Sequence, residues 1–324
     1  LCIYLLFFIL DRRVEAGAWM PLAKASQLAY SFSLWAGLLL VLWIPVAGLS
    51  RLFELGHVAW LWPGHWLWIP TALAGWGTAW TFLRHQNLRT LQLGDGDEAI
   101  RIVHLSDLHA SPCMTGSDLA ELVRQTNALD PDLVLMTGDF VMPFSEAHHA
   151  YLIEALAGLE SRAFACAGNH DLPVLDRLVE ALEGVGVGWL VDAATPVEIR
   201  GQRVELVGVN FHWTDAQANL LCALNALPPM PDVQHRILLA HDPRLFAWLP
   251  AGRFDLQLSG HTHGGQVGTD MFGLSWSVLR PFGVYDQGLF ERAGTYLNVH
   301  RGNWHTGLPP RMGIASEIVE IELR

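Results

Sequence analysis

Ile100-Arg101-Ile102-Val103-His104-Leu105 runs directly into Ser106-Asp107-Leu108-His109. A short apolar, β-branched run stopped by polar residues reads as a buried strand with chemistry at its carboxyl end. Residues two apart in an extended chain point the same way, so Asp107 and His109 can hold one cation together. The arrangement recurs along the chain. A strand over 132–137 ends in Gly138-Asp139, and one over 163–167 ends in Gly168-Asn169-His170-Asp171. A strand over 236–240 leads to His241-Asp242, and one over 255–259 to Gly260-His261-Thr262-His263-Gly264-Gly265.

Between these strands the apolar period changes to that of helices, over 117–129 (with Ser117 as N-cap), 146–159 and 173–183. Further strands are expected at 187–191, 196–200, 203–209, 294–299 and 314–322. A β-α-β-α-β opening implies a parallel sheet covered by helices, with ligands bound at the carboxyl ends of its strands. The closer spacing of the later strands implies a second sheet packed on the first. The fold class is therefore α/β.

Five strand ends supply carboxylates, imidazoles and one carboxamide. Oxygen and imidazole donors together suit manganese, iron or zinc, with magnesium a further possibility. Two divalent ions held close together can activate water and clamp a phosphoryl group for in-line attack. One carboxylate must then bridge the pair, and Asp139, standing alone in chain order, is the natural bridge. Each short motif alone is a weak signal. Their occurrence in order, each at the end of an apolar strand, carries the reading.

Composition separates the chain into two parts. Of 324 residues 51% are apolar and 16% charged, and nine of the fourteen Trp fall in the first ninety residues. The formal net charge is −12. Residues 1–90 are nevertheless net positive, and the acidity lies wholly beyond them. No basic stripe marks a nucleic-acid surface, so no nucleic-acid partner is expected. Cys2, Cys113, Cys166 and Cys222 form no C-x-x-C pair and read as reduced thiols.

Residues 1–83 read as about three transmembrane helices, the first one truncated: Leu1–Leu10 is the tail of a helix beginning upstream, followed by 28–49 and 58–83. Pro63 and Pro70 are tolerated in such helices, and interfacial Trp is expected there. Arg12, Arg13 and Lys24 in the first loop, only Arg51 in the second, and Arg84 and Arg89 after the last place the remainder on the cytoplasmic side of an inner membrane. Residues 84–99 read as a linker and 100–324 as the catalytic domain.

The series Asp107-x-His109, Gly138-Asp139, Gly168-Asn169-His170-Asp171, His241 and Gly260-His261-Thr262-His263 resembles the calcineurin-like metallophosphoesterase superfamily over residues ~100–322, essentially everything beyond the apolar segments. The resemblance implies an α/β/β/α sandwich of two sheets flanked by helices. It implies that one metal ion takes Asp107, His109, Asp139 and His263, and the other Asp139, Asn169, His241 and His261. It makes His170 the non-ligand histidine near the leaving-group oxygen, where a general acid must be protonated. Asp171 beside it could orient that ring and favour its imidazolium form.

The related protein phosphatases carry Asp-Arg-Gly soon after Gly-Asp and Glu after Asn-His. Here Phe140-Val141-Met142-Pro143 and Asp171 stand instead. The run Gly260–Val267, Tyr296–Gly302 and Glu317-Ile318 resembles the membrane-anchored bacterial branch, which includes phosphodiesterases and UDP-2,3-diacylglucosamine diphosphatases of lipid A synthesis. Asn303-Trp304 and Ser316 depart from that branch's pattern. The implied partner is a phosphate-containing small molecule or a lipid-linked substrate.

An apolar insertion at 270–290 follows the histidine pair and reads either as a lid touching lipid or as a loop folded on the domain's own core. Arg280 within it, Arg301 and Arg311 are candidate phosphate contacts, because Arg favours bidentate phosphate recognition. Trp189, Trp213 and Trp248 read as core. His212, His300 and His305 could approach the pocket. A phosphodiesterase of soluble substrates, merely tethered to the membrane, is the second reading. A non-catalytic scaffold is disfavoured, since such proteins usually lose ligands and none is missing here. A transporter is disfavoured by the lack of polar residues in the apolar segments.

Overall fold

Strand pairing puts the five motif-bearing strands in two sheets that pack face to face. The computed structural model describes residues 20–52, 68–82, 86–111, 114–142, 149–271, 274–304 and 311–324. In chain order these hold α1 (Met20–Leu52), α2 (Trp68–Phe82), β1 (Gln86–Leu93), β2 (Ile100–Leu105), α3 (Gly116–Ala128), β3 (Leu133–Thr137) and α4 (His149–Leu156). There follow β4 (Arg162–Cys166), α5 (Leu175–Glu183), β5 (Val187–Trp189), β6 (Ala193–Ile199), β7 (Gln202–Gly208), α6 (Ala216–Ala226), β8 (His235–Leu239) and β9 (Leu256–Ser259). The last are β10 (Gly268–Met271), β11 (Leu274–Ser277), β12 (Gly288–Arg292), β13 (Thr295–Val299) and β14 (Ser316–Leu323).

The first sheet runs β1-β14-β2-β3-β4-β5 and the second β12-β13-β9-β8-β7-β6, with β10-β11 a separate hairpin. β2 to β5 are parallel, and so are β7, β8, β9 and β13. Period-two alternation decides which face each residue takes. Along β2, Ile100 and Ile102 join Leu133, Leu135, Ile237, Leu239, Leu256 and Leu258 between the sheets. Val103 and Leu105 instead pack outward with Leu119 and Leu122 of α3 and Leu178 of α5. On the far side, Leu238 and Val299 pack against Leu220 and Leu224 of α6. Each such fully buried side chain contributes roughly 1.5–3 kcal/mol relative to exposure. The four layers are thus helix, sheet, sheet, helix, as the sequence led us to expect.

Three expectations need correction. Residues 86–93, read as part of a linker, form β1, which pairs in parallel with β14 from Gln86 opposite Ser316 to Leu93 opposite Leu323. Its solvent face carries an exposed Leu88 beside Thr90 and Gln92, which bond Glu320 and Glu322 across the strands. Leu91 and Leu93 turn inward together with Arg89, which reaches Asn298 and Glu317, and this left too weak an alternation to read. The cap of α3 is Thr115, whose backbone N–H and hydroxyl both bond the Asp118 carboxylate, at 2.9 and 2.6 Å, two residues before the expected Ser117. Helix α6 was not anticipated, since Leu220 and Leu224 are its only fully buried anchors.

Among the described residues no helix is long and apolar enough to cross a membrane. The spanning helices expected over 1–83 therefore stay a proposal. Leu1–Leu10, Arg12, Arg13, residues 58–67 and Arg84 lie outside the described residues.

Candidate metal centre

The five loops after β2, β3, β4, β8 and β9 converge where the two sheets meet. Backbone bonds tie them together: Asp107 N–H donates to Gly138 O at 3.0 Å and Gly260 N–H to His241 O at 3.1 Å. Two glycines make this approach possible. A Cβ at Gly260 would overlap the Ser106 hydroxyl and the Asp107 carboxylate, and one at Gly168 would overlap Asp139. Asp107, His109, Asp139, His261 and His263 all have positive φ, between 45 and 73°. Such a backbone costs of order 1–3 kcal/mol per non-glycine residue and persists where surroundings impose it, as functional sites do. Five such residues in one place point to chemistry rather than to turns.

Two clusters result, Asp107 with His109 and His263, and Asp139 with His241 and His261. His263 Nε2 lies 3.0 Å from Asp107 Oδ1 and 3.0 Å from His109 Nε2. His241 Nε2 lies 3.2 Å from Asp139 Oδ2, and His109 Nε2 lies 3.7 Å from that same oxygen. Asp139 therefore stands between the clusters.

Outer partners orient the rings. His263 Nδ1 is 3.1 Å from Trp304 O and His241 Nδ1 is 2.5 Å from Thr137 O. A carbonyl only accepts, so each Nδ1 carries the hydrogen and each Nε2 turns inward as a donor of electrons. Between His241 Nε2 and the Asp139 carboxylate a proton or a metal ion must then stand. Burial works against an imidazolium at His241, but Asp139 overrides it and raises the pKa to about 10. The buried carboxylates thus demand a cation. Burial drives His109 well below its usual range, and burial with His241 drives His261 down to about 4, so both rings are neutral, as ligands must be. Burial opposes the charge on Asp107, yet His263, His241 and His109 hold it well below the usual carboxylate range. The Asn169 carboxamide oxygen is buried with no hydrogen-bond partner among the described residues. All seven expected ligand residues thus lie at one place, and their donor chemistry fits two divalent ions.

His170 is also present. Its ring is edge-on to His109 at 5.0 Å, its Nε2 is 4.0 Å from Asp139 Oδ2, and its side chain is 24% exposed. Burial lowers its pKa. Asp171 does not pair with that ring. Its carboxylate accepts from the backbone N–H groups of Asp139, Gly168 and Phe140 at 2.8 Å each, and of Val141 at 3.4 Å. Burial and the Asp139 charge push its pKa up to about 7. A carboxyl proton there would nonetheless meet only donors, so the ionised form is the one this cage fits. Asp171 is a positioning residue that clamps the Asp139 turn to the Gly168 turn.

The three arginines are engaged elsewhere. Arg301 is buried between Asp270, at 2.5 Å, and Glu317. Arg311 donates to the carbonyls of Arg301 at 2.5 Å and Trp304 at 2.6 Å. Arg280 bonds Ser275 O at 2.6 Å and lies 3.6 Å from Asp286. Arg311 instead secures the carbonyl that orients His263. The insertion divides between the two alternatives: Ser277, Asp286 and Gln287 are buried, whereas Trp276, Val278 and Phe282 are exposed.

Several contributors carried no sequence signal. Thr137 and Trp304 act through carbonyls, which any residue has. Asn303 donates its backbone N–H to Ser106 O and accepts the Ser106 N–H on its side chain, at 2.8 and 2.9 Å, pinning the turn that carries Asp107. His300 is buried against His104 and accepts from Gly302 N–H. Trp189 is core, but Trp213 is exposed.

Residues 100–265 match the family model described as calcineurin-like phosphoesterase. The chain is 29% identical over 236 residues to an uncharacterized metallophosphoesterase, YkuE, of Bacillus subtilis, covering 71% of this chain and 80% of that one. It is 32% identical to the phosphodiesterase YaeI of Escherichia coli, over 55% of this chain and 66% of that one. It is 29% identical to a transmembrane protein with metallophosphoesterase domain of Bos taurus, over 70% of this chain and 53% of that one. This chain belongs to the calcineurin-like metallophosphoesterases, a family with a dinuclear metal centre, and is a metal-dependent phosphoester hydrolase.

Proposed function

We propose that the chain hydrolyses phosphodiester or pyrophosphate bonds in an amphiphilic or lipid-linked substrate, such as UDP-2,3-diacylglucosamine, at the cytoplasmic face of a membrane. The observation that carries the chemistry is Asp139, which faces His241 at 3.2 Å and His109 at 3.7 Å and so belongs to both clusters. Asp107, His109, His263 and Asp139 would hold one ion, and Asp139, Asn169, His241 and His261 the other, with manganese the first choice. When bound, such a pair lowers the pKa of water and neutralises phosphoryl oxygens.

The chain's own groups supply the rest. Asp171 holds the Asp139 and Gly168 turns in register, so that Asn169 and His170 face the same space. His170 is partly exposed beside Asp139 and is placed to pass a proton to the departing oxygen; burial lowers its pKa, so that role requires the bound phosphate to hold the ring protonated. The name of the Escherichia coli relative favours diesters. The lack of an Arg near Asp139 in the sequence argues against phosphoprotein substrates.

Membrane attachment through helices in 1–83, with 100–324 as the catalytic domain facing the cytoplasm, is supported by the uncharged run over 28–49, by the distribution of Arg12, Arg13 and Lys24, and by the name of the Bos taurus relative. The exposed Trp276, Val278 and Phe282 beside the histidine loop support an amphiphilic substrate. A soluble diester handled by a tethered enzyme is the second reading, favoured by the phosphodiesterase relative.

Purified protein should hydrolyse bis-p-nitrophenyl phosphate with Mn²⁺, and Asp139→Asn should abolish turnover. Turnover unaffected by that change, or by chelator, would overturn the metal assignment. Equal rates on an acylated and a deacylated UDP-sugar would leave only the second reading.

A further inference from the structure

Beside His261 an aromatic step climbs from the candidate metal centre to the surface. Phe211, in the turn after β7, is buried, with its ring 5.3 Å from that of His261 and 5.9 Å from that of His241. Trp213 meets Phe211 edge-on at 5.0 Å and is 65% exposed. The indole is thus two ring contacts from a residue of the centre while most of its surface faces solvent.

The turn that carries it is anchored on both sides. Val209 N–H donates to Leu239 O at 3.1 Å, Asn210 N–H to Asp192 at 3.0 Å and Phe211 N–H to the Asn210 side chain at 2.9 Å. Beyond the indole, Asn219 Nδ2 donates to Thr214 O at 3.3 Å. A large apolar ring fixed in solvent gains nothing for folding, and a preorganised ring is what a stacking site requires.

We propose that Trp213 and Phe211 form a subsite for a planar ring, an aryl group or a nucleobase, carried by the phosphate ester held at the metal centre. This rests on the hydrolase reading above and adds the class of substrate. Phosphate lies at the ions, and the ring it carries lies against the indole. Stacking on one aromatic side chain is sequence-tolerant and large enough to set preference, because every such ring presents a π face. Trp213 is then a specificity-determining residue, and truncating it weakens ring-bearing ligands while sparing those without a ring.

The test is equilibrium binding of methyl phosphate, phenyl phosphate and adenosine monophosphate to the full chain in detergent with Mn²⁺, by titration calorimetry. In wild-type protein the two ring-bearing ligands should bind more tightly than methyl phosphate. Trp213→Ala should weaken them on the order of 10- to 100-fold, the range for one stacked ring. Methyl phosphate should be unchanged, and Trp213→Phe should restore most of the loss. Adenosine monophosphate tighter than phenyl phosphate identifies a nucleobase; equal affinities identify any aryl group. Loss of all three ligands together, no loss of either ring-bearing one, or no ring preference in the wild type overturns the subsite. Turnover of bis-p-nitrophenyl phosphate is followed in parallel. Ring-dependent binding without turnover would sink the hydrolase reading alone, and turnover without ring dependence would sink the subsite alone.

Discussion

Replacing Asp171 with Asn discriminates two roles for that residue. The carboxylate accepts four backbone N–H groups, three at 2.8 Å and one at 3.4 Å. An Asn can keep its oxygen on one pair only and must present its NH₂ to the other. With the oxygen on Asp139 and Gly168, the donor of Phe140 is left buried and unmet, which costs about 1–3 kcal/mol. The two bonds that remain lose their charge assistance, about 1 kcal/mol more between them. The long Val141 contact adds little. Asp171→Asn should thus destabilise the domain by roughly 2–4 kcal/mol, or about 5–15 °C in Tm for a domain of this size. Metal content should fall with it, because the turns carrying Asp139 and Asn169 are no longer held in register. Thermal unfolding of the purified chain, with metal analysis of the same sample, reads both quantities. A variant with unchanged Tm and full metal content, but a displaced acid or alkaline limb in its pH–rate profile, would refute this reasoning. That outcome would mean that Asp171 serves the His170 ring.

Other consequences are open to measurement. Chelation should lower Tm, and Mn²⁺ at about 100 times its Kd should restore about 2.7 kcal/mol of stability; a Tm indifferent to chelator would show that the clusters hold no ion. Arg311→Met removes the donor to the Trp304 carbonyl that orients His263, and metal affinity should drop about 10- to 100-fold, read by competition with a metal indicator. Unchanged affinity would show that His263 orients without it. His104 is fully buried between Thr137 and Asn298, and burial lowers its pKa to about 3. Its folded value lies below its unfolded value near 6.5, so stability is present above that pH and is lost as pH falls toward 3, by up to about 5 kcal/mol. Denaturant unfolding between pH 7 and 4 should show this slope, and His104→Gln should flatten it.

The fold could be read from β2 and its successors because each buried strand is a short apolar run ended by polar residues. What failed were elements held by the backbone. β1 mixes Leu88 with polar residues on its outer face and owes its place to pairing with β14, so it passed for a linker. The hairpin β10-β11 and helix α6 have few buried side chains to set a period. The same divide runs through the site. Residue identity marks a ligand, since only a few side chains bind metal, so Asp107, His109, Asp139, Asn169, His241, His261 and His263 were recognisable in one dimension. Identity does not show which partner a charged group chooses. Arg301, Arg311 and Asp171 looked like substrate or catalytic groups, and the structure commits them to Asp270 and Glu317, to carbonyls, and to backbone N–H groups.

The sequence by itself determined the donor set and its order at the strand ends, because those depend on side-chain chemistry and on where each apolar run stops. Only the tertiary structure decided that one oxygen of Asp139 faces both His241 and His109, that Thr137 and Trp304 carbonyls set the tautomers of His241 and His263, and that Trp213 stands in solvent next to Phe211. Those are matters of distance between loops far apart in the chain. They are fixed by how two sheets pack, through glycines that let their ends approach.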